Sequence, residues 1–399
     1  MSDLRYLTAG ESHGICLTAI LSGFPSGVEI EEREINVELA RRQVGFGRGD
    51  RMKIEKDTVK ICSGVRNGVT MGAPITLVIK NRDWENWKSF MSVSAENFDS
   101  SKNVTQPRPG HTDLPGALKF NQKDIRNILE RASARSTATQ VAIGAICKKI
   151  LSIFNISIFS HTVNIGGIIA DTHGLAFKEI RERAEKSDLR CADSNAERSM
   201  KALITSAKDK GDTLGGVVEI ISSGIPVGLG NSMNPDERLD GLLAGAVMAV
   251  QAIKGVEIGF GFRVADSSGS KVHDEIHFSK DAAKKIEGIG PSGGFFSYTN
   301  NAGGIEGGIS NGRPIVLRAA MKPIPSLREP LASVDIITKK PFKAVKERAD
   351  VCAVPAVGVI IEGVVAFVLA KEFLKKFGGD SLTEIRRNYN SYLKQMEEF

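Results

Sequence analysis

Residues 107–150 read PRPGHTDLPGALKFNQKDIRNILERASARSTATQVAIGAICKKI. The opening Arg108-Pro109-Gly110-His111-Thr112-Asp113 is a loop punctuated by proline and glycine, and it holds one of only six histidines. From Ile125 onward, Ile128, Leu129, Ala132, Ser136, Thr139, Ile143, Ile146 and Ile150 recur at spacings of three and four. That period predicts one long buried helix over 125–150. Arg131 and Arg135 then fall on another face, four residues apart. Like charges at that spacing repel by roughly 0.2–0.5 kcal/mol, so the pair suits either a solvated surface or a face that meets an anion. The small Ala132, Ser133 and Ala134 between them would let a ligand approach closely.

Two further segments, 242–253 and 356–370, resemble 141–150 in being apolar on several faces and rich in small residues. Such helices pack closely and need cover on more than one side. Short strand-like runs at 5–23, 58–63, 75–79, 156–163, 215–221 and 256–262 supply that cover. The expected fold is α+β: a single domain over 1–399, with a helical layer between antiparallel sheets. Further helices are expected at 36–44, 177–189 and 196–210, the last two charged and without an assigned role. Residues 351–370 are long enough to cross a bilayer. Glu362 near the middle would cost about 3 kcal/mol there, and Pro355 fits the first turn of a buried helix, so no membrane is expected.

At 399 residues, 41% hydrophobic and 25% charged, the chain can bury a core without covalent staples. Five cysteines with no CxxC argue against both disulfides and zinc, so no metal is expected and a reducing cytoplasm fits. The N-terminal MSDLRYLTAG lacks the basic and apolar regions of a signal peptide. The net charge of +6 suits an anionic small molecule and does not by itself argue for nucleic acid.

Several short stretches carry chemistry. His13 sits between Gly10 and Gly14 in a turn expected to leave its imidazole uncovered. Residues 41–51, RRQVGFGRGDR, form a cationic loop whose guanidinium forks match phosphate or carboxylate. Residues 81–106 hold both tryptophans in a polar, irregular segment that reads as an active-site cover or a subunit contact. The tract 288–303 is too rich in glycine for regular structure and suggests a flexible loop over a site. It leads through an Asn311-Gly312 turn to the proline-fixed 322–326. Asp350, just before the last apolar helix, reads first as a helix cap.

Taken together, these segments resemble the chorismate synthase family: GESHG at 10–14, ARRQVGFGR at 40–48, RPGHTD at 108–113, RASAR at 131–135, QAIKGVEIG at 251–259, NNAGGIEGGISNG at 300–312, KPIPS at 322–326 and RADVCAVPA at 348–356. The resemblance implies a cytoplasmic, homotetrameric enzyme of the shikimate pathway with a β-α-β sandwich fold. It would convert 5-enolpyruvylshikimate-3-phosphate to chorismate and phosphate by a 1,4-anti elimination that needs reduced FMN without net redox change. By similarity, His13 would protonate the departing phosphate, His111 would act at the anionic reduced flavin, and Asp350 would serve proton removal. Arg42, Arg48, Arg51, Arg135 and Arg348 would surround the anionic substrate, with Arg42 and Arg48 also linked to NADP. Arg131, Ala132, Ser133, Gln251, Ala252, Gly307, Lys322, Pro323, Ile324, Pro325, Ser326 and Arg348 would line the FMN site. NADPH or an external flavin reductase would supply the reducing equivalents.

The chain departs from the family at 132–137, where it has Ala132 and Ser136 in place of the serine and glutamate of many relatives. Two other functions compete: an NADPH:flavin oxidoreductase, and a non-catalytic anion- or RNA-binding module. The second is weakened by the scarcity of stacking residues, since aromatics are 6% of the chain and the arginine loop offers only Phe46.

Overall fold

In the computed structural model, which describes residues 3–49, 56–347 and 349–399, two antiparallel sheets enclose a layer of helices. The first sheet contains β1 (Arg5–Ala9), β2 (Cys16–Ser22), β3 (Val59–Ile61) and β4 (Ile75–Lys80), in the order β1-β2-β4-β3. Its inward face follows the two-residue period of a half-buried strand: Leu17, Ala19 and Leu21 on β2, and Ile75, Leu77 and Ile79 on β4, are all buried. The register pairs Ile20 with Thr76 and Val59 with Ile79.

The longer helices among the described residues are α1 (Glu32–Gln43), α2 (Asp113–Lys119), α3 (Arg126–Ala132), α4 (Thr137–Ile153), α5 (Phe177–Lys186), α6 (Ser194–Asp209), α7 (Leu239–Met248), α8 (Val354–Phe377) and α9 (Leu382–Glu398). The second sheet contains β5 (Ser157–Ile165), β6 (Ile168–Ile169), β7 (Gly216–Ser223), β8 (Ile253–Ile258) and β9 (Ile315–Met321), in the order β8-β9-β7-β5-β6. Helix α4 packs on β2 and β4, α8 packs on β5 and β7, and the two helices meet between the sheets. Small residues make that meeting close. A Cβ placed on Gly144 would lie 2.2 Å from Cα of Gly363, so neither backbone could keep its position with a larger residue there.

Helix α8 is long and apolar enough to cross a membrane, yet nearly all of it is buried inside the fold. Its Glu362 is fully buried. Arg41 and Lys148 reach its Oε2 at 2.8 and 2.5 Å, and the hydroxyl of Ser160 donates to Oε1 at 2.6 Å. Burial alone would raise this carboxyl, but the charges of Lys148, Arg41 and Arg190 outweigh it and hold the group well below the ordinary carboxylate range. The side chain that argues against a membrane therefore ties α1, α4, α8 and β5 together.

The expected helix over 125–150 is not continuous. Ser133 is extended (φ −60°, ψ 140°) and separates α3 from a 3-10 turn at Ala134–Ser136 and then α4. The Ser133 hydroxyl accepts the N–H of Arg135 at 3.3 Å, a local bond that competes with the helical ladder. Arg131 and Arg135 consequently do not share a helical face. The helix expected to reach residue 253 ends at Met248; Ala252 has φ +70°, and strand β8 begins at Ile253. The tract 288–303 is pinned rather than loose: Phe295–Phe296 pairs with His277–Phe278, and Gly290 N–H donates to Gly312 O at 2.8 Å.

Candidate active site

The turn between β1 and β2 carries His13 against α3. The backbone N–H of His13 donates to Glu130 Oε2 at 2.8 Å, and Nδ1 lies 2.9 Å from Oε1. On its face, the imidazole stacks on Trp87 with ring centres 3.9 Å apart and planes 23° apart. His13 is only 6% exposed, which corrects the expectation of an uncovered imidazole. The cover comes from 81–106, whose Lys102 Nζ lies 3.8 Å from the Trp87 ring. Burial would raise the Glu130 carboxyl, but the hydrogen bonds and charge of His13, with Arg126 behind them, hold it below its ordinary value.

Asn81 joins this turn to the arginines. Its amide donates to Gly14 O at 2.7 Å and to Glu11 O at 3.1 Å, and its Oδ1 accepts from Arg135 Nε at 2.9 Å. Arg135 Nη1 reaches Asp57 Oδ1 at 2.5 Å, and Arg42 Nη1 lies 3.6 Å from the other Asp57 oxygen. Arg42 also donates to Thr137 Oγ1 and Ala134 O at 3.0 and 2.8 Å. Burial pushes the Arg42 guanidinium down to about 10 against the pull of Asp57, with Arg48 and Arg135 adding to the fall. It remains a cation at neutral pH.

Arg48 and Asp350 pair at 2.9 Å, and Gly49 N–H donates to Asp350 Oδ1 at 2.6 Å. A Cβ on Gly49 would meet Ala349 O at 2.9 Å, so the close approach that forms this bond favours glycine. Asp350 is not a helix cap. Helix α8 begins at Val354 with Ala353 at its N-cap, and the Asp350 carboxylate faces the arginine loop instead. Arg51 and Arg348 lie outside the described residues.

A third cluster is built from the 108–113 loop. His111 Nδ1 lies 2.5 Å from Asp113 Oδ1 and 3.1 Å from Arg108 Nη2. Both contacts cannot be hydrogen bonds of one tautomer; the shorter, charge-assisted one assigns the proton to Nδ1. Arg108 grips Asp113 through Nε at 2.8 Å and donates to Ser326 Oγ at 2.8 Å. Burial opposes ionisation of Asp113, but His111 and Arg108 overcome it and hold the carboxyl far below its usual range. Lys322 Nζ donates to Gly110 O, so the 108–113 loop and the 322–326 segment form one unit.

The clusters are linked through the backbone. Thr213 Oγ1 donates to Ile324 O at 2.7 Å, and the adjoining Leu214 N–H donates to Val351 O at 2.9 Å, beside Asp350. Arg126 binds Glu130 and Glu347, each at 3.1 Å, joining the His13 cluster to the segment that leads to Asp350.

A family model described as chorismate synthase matches residues 4–374. The chain belongs to the chorismate synthase family. A protein named chorismate synthase from Geobacter metallireducens (strain ATCC 53774 / DSM 7210 / GS-15) is 57% identical over 396 residues, covering 99% of this chain and 100% of that protein. Another of the same name, from Aquifex aeolicus (strain VF5), is 51% identical over 404 residues and covers 99% of each. A crystal structure of chorismate synthase matches with a TM-score of 0.78 and 42% identity, over 100% of both chains. The chain is thus an enzyme of the chorismate synthase type, a lyase of aromatic amino acid biosynthesis acting on a small molecule.

Against the residues expected from the chorismate synthase resemblance, the structure joins His13, Arg42 and Arg135 through Asn81 and Asp57, pairs Arg48 with Asp350, and ties the loop that carries His111 to 322–326 through Arg108 and Gly110. Arg131 is exposed and holds Thr8 O at 2.9 Å. Ala132 ends the same helix with Ser133 just beyond it, and Gln251 Nε2 donates to Ser136 Oγ at 3.1 Å, with Ala252 adjoining. Gly307 lines a surface cavity of about 380 Å³ whose other lining residues include Asp240, His273 and Asp274 and none of the expected set. The sequence assigns no individual role to Glu130, Trp87, Asn81, Asp57, Arg108 or Asp113. Arg108 and Asp113 share the 108–113 loop with His111, and Asn81 and Trp87 fall in 81–106, which reads as an active-site cover or a subunit contact; Glu130 and Asp57 carry no such local signal.

Proposed function

We propose that this chain, acting as one domain over 1–399 and as a cytoplasmic homotetramer, eliminates phosphate from 5-enolpyruvylshikimate-3-phosphate to give chorismate. Two features make the residues compatible with FMN. Gln251 Oε1 is buried with no hydrogen-bond partner among the described residues, an acceptor suited to a ring N–H. Lys322 and the proline-fixed 322–326 segment add a cation and a rigid wall. Arg131, Ala132, Ser133, Gln251, Ala252, 322–326 and Arg348 would hold the cofactor, and Gly307 joins them only by resemblance. Reduced FMN, when bound, supplies electron density to the allylic system and a basic nitrogen for the released proton.

The remaining work belongs to the chain. Arg42, Arg48, Arg51 and Arg135 bind and orient the anionic substrate and stabilise charge as phosphate separates. His13 gives a proton to the departing phosphate oxygen, which removes the need to expel a more highly charged leaving group. His111, with Nδ1–H held by Asp113, keeps Nε2 available at the anionic edge of the cofactor. Asp350, paired with Arg48, passes on the proton released from the ring carbon.

The observation that supports this most is the double role of Asn81, which bonds the His13 turn and Arg135 at once. Through it, the leaving-group acid would stand near the arginines that would hold the phosphate. The test is anaerobic incubation with chemically reduced FMN and the substrate; phosphate release is expected, and its absence from folded protein would overturn the proposal. NADPH oxidation in the presence of oxidised FMN, with no other enzyme, distinguishes self-reduction from dependence on a separate flavin reductase.

A further inference from the structure

We propose that Glu130 is a positioning residue for His13: its carboxylate fixes a proton on Nδ1, leaving Nε2 as the nitrogen that exchanges a proton with the phosphate. The inference rests on the leaving-group role of His13 given above.

Four donor contacts converge on the two oxygens of Glu130. Oε2 receives the backbone N–H of His13 at 2.8 Å, and Oε1 receives Arg126 Nη1 at 3.1 Å. Nδ1 of His13 lies 2.9 Å from Oε1 and 3.1 Å from Oε2. An acceptor that meets only donors must find Nδ1 protonated, so the tautomer is dictated by the partner. The carboxylate is itself held still. Arg126 is anchored at its far side by Glu347 at 3.1 Å and by Lys102 O at 2.6 Å, and the Glu130 backbone carbonyl accepts from Ser12 N–H at 3.0 Å.

The ring cannot readily turn over to present its other nitrogen. Trp87 lies flat on it at 3.9 Å, and Lys102 and Arg126 lie over the Trp87 ring at 3.8 and 5.1 Å. A carboxylate that orients an imidazole and fixes its tautomer is the device used in Ser-His-Asp sites, where changing the tautomer costs rate with the geometry intact. Here it operates on a general acid. As the imidazolium gives its Nε2 proton to the phosphate oxygen, Nδ1–H stays with Glu130 and the ring is left neutral in one defined form.

The test uses holoenzyme labelled with ¹⁵N-histidine, with His13 assigned by its loss in His13→Gln. Wild type is expected to show neutral His13 as the Nδ1–H tautomer. In Glu130→Gln an amide N–H must face either Arg126 or the His13 N–H, so the single tautomer should give way to a mixture. Its kcat for phosphate release should fall on the order of 100-fold while KM for the substrate changes little, and Glu130→Asp should recover part of both signals. An Nε2–H tautomer in wild type would overturn the inference, as would a Glu130→Gln protein that keeps both the Nδ1–H form and full kcat. If Glu130→Gln fails to fold, the wild-type tautomer alone decides. The spectrum needs no turnover, so failure of the proposed reaction is read separately.

Discussion

Arg48 and Asp350 lie 2.9 Å apart, and the backbone N–H of Gly49 binds the same carboxylate at 2.6 Å. The pair closes the arginine loop onto the segment preceding α8, with Gly49 and Asp350 301 residues apart in sequence. Asp350 thus serves the loop and not the helix, and its replacement should act on chemistry. Asp350→Asn is expected to slow single-turnover phosphate release by about 100-fold or more, with reduced-FMN binding nearly unchanged. Equal losses in rate and in flavin binding, measured by titration, would assign it a purely structural role.

Asp113 holds His111 at 2.5 Å and is itself gripped by Arg108. Asp113→Asn leaves Arg108 without its carboxylate and loosens the hold on the His111 tautomer. Turnover should fall on the order of 100-fold, and the melting temperature should also drop, because a buried guanidinium loses its partner. His111→Ala should lower turnover while the melting temperature stays close to that of wild type. Unchanged turnover in His111→Ala would remove His111 from the site.

The approach of α4 to α8 leaves no space for a side chain at Gly144, where a Cβ would come within 2.2 Å of Gly363. Gly144→Ala should destabilise by about 1–3 kcal/mol through overpacking, read as a lower denaturant midpoint with an unchanged slope. A midpoint equal to wild type would mean that the two helices separate without cost.

Glu362, Asp113 and Glu130 all have carboxyl groups lowered in the folded state. A lowered carboxyl contributes stability that is present above its unfolded value and lost as pH falls. The melting temperature should therefore be level from about pH 7 to 5 and decline below about pH 4.5. Glu362→Ala strands Arg41 and Lys148 and should cost about 3–5 kcal/mol at neutral pH, with a shallower acid decline than wild type. A melting temperature independent of pH down to about 3 would contradict these ionisations.

Much of this architecture was legible in the order of the residues. The alternation of Leu17, Ala19 and Leu21, and of Ile75, Leu77 and Ile79, marks strands with one buried face. Glycine and alanine within the apolar helices announce the close contact that Gly144 and Gly363 make. Ser133 escaped because apolar periodicity runs through it unbroken, whereas its conformation is set by one local hydrogen bond. Glu130 escapes for a different reason. Its partner His13 lies 117 residues away in sequence, and no local pattern encodes that meeting. Trp87 falls in 81–106, which reads as a cover without saying what it covers. The glycine-bounded turn suggests an uncovered His13 because it says nothing about a distant segment that folds over it.

The elimination proposed here leaves the flavin in the redox state in which it entered. The most direct measurement follows flavin absorbance and phosphate together during anaerobic turnover, with substrate in large excess over chemically reduced FMN. The expected result is many equivalents of phosphate and chorismate per flavin, with the flavin still reduced at the end. Oxidation of the flavin in step with product, or nicotinamide-driven flavin turnover with no phosphate released, would contradict it.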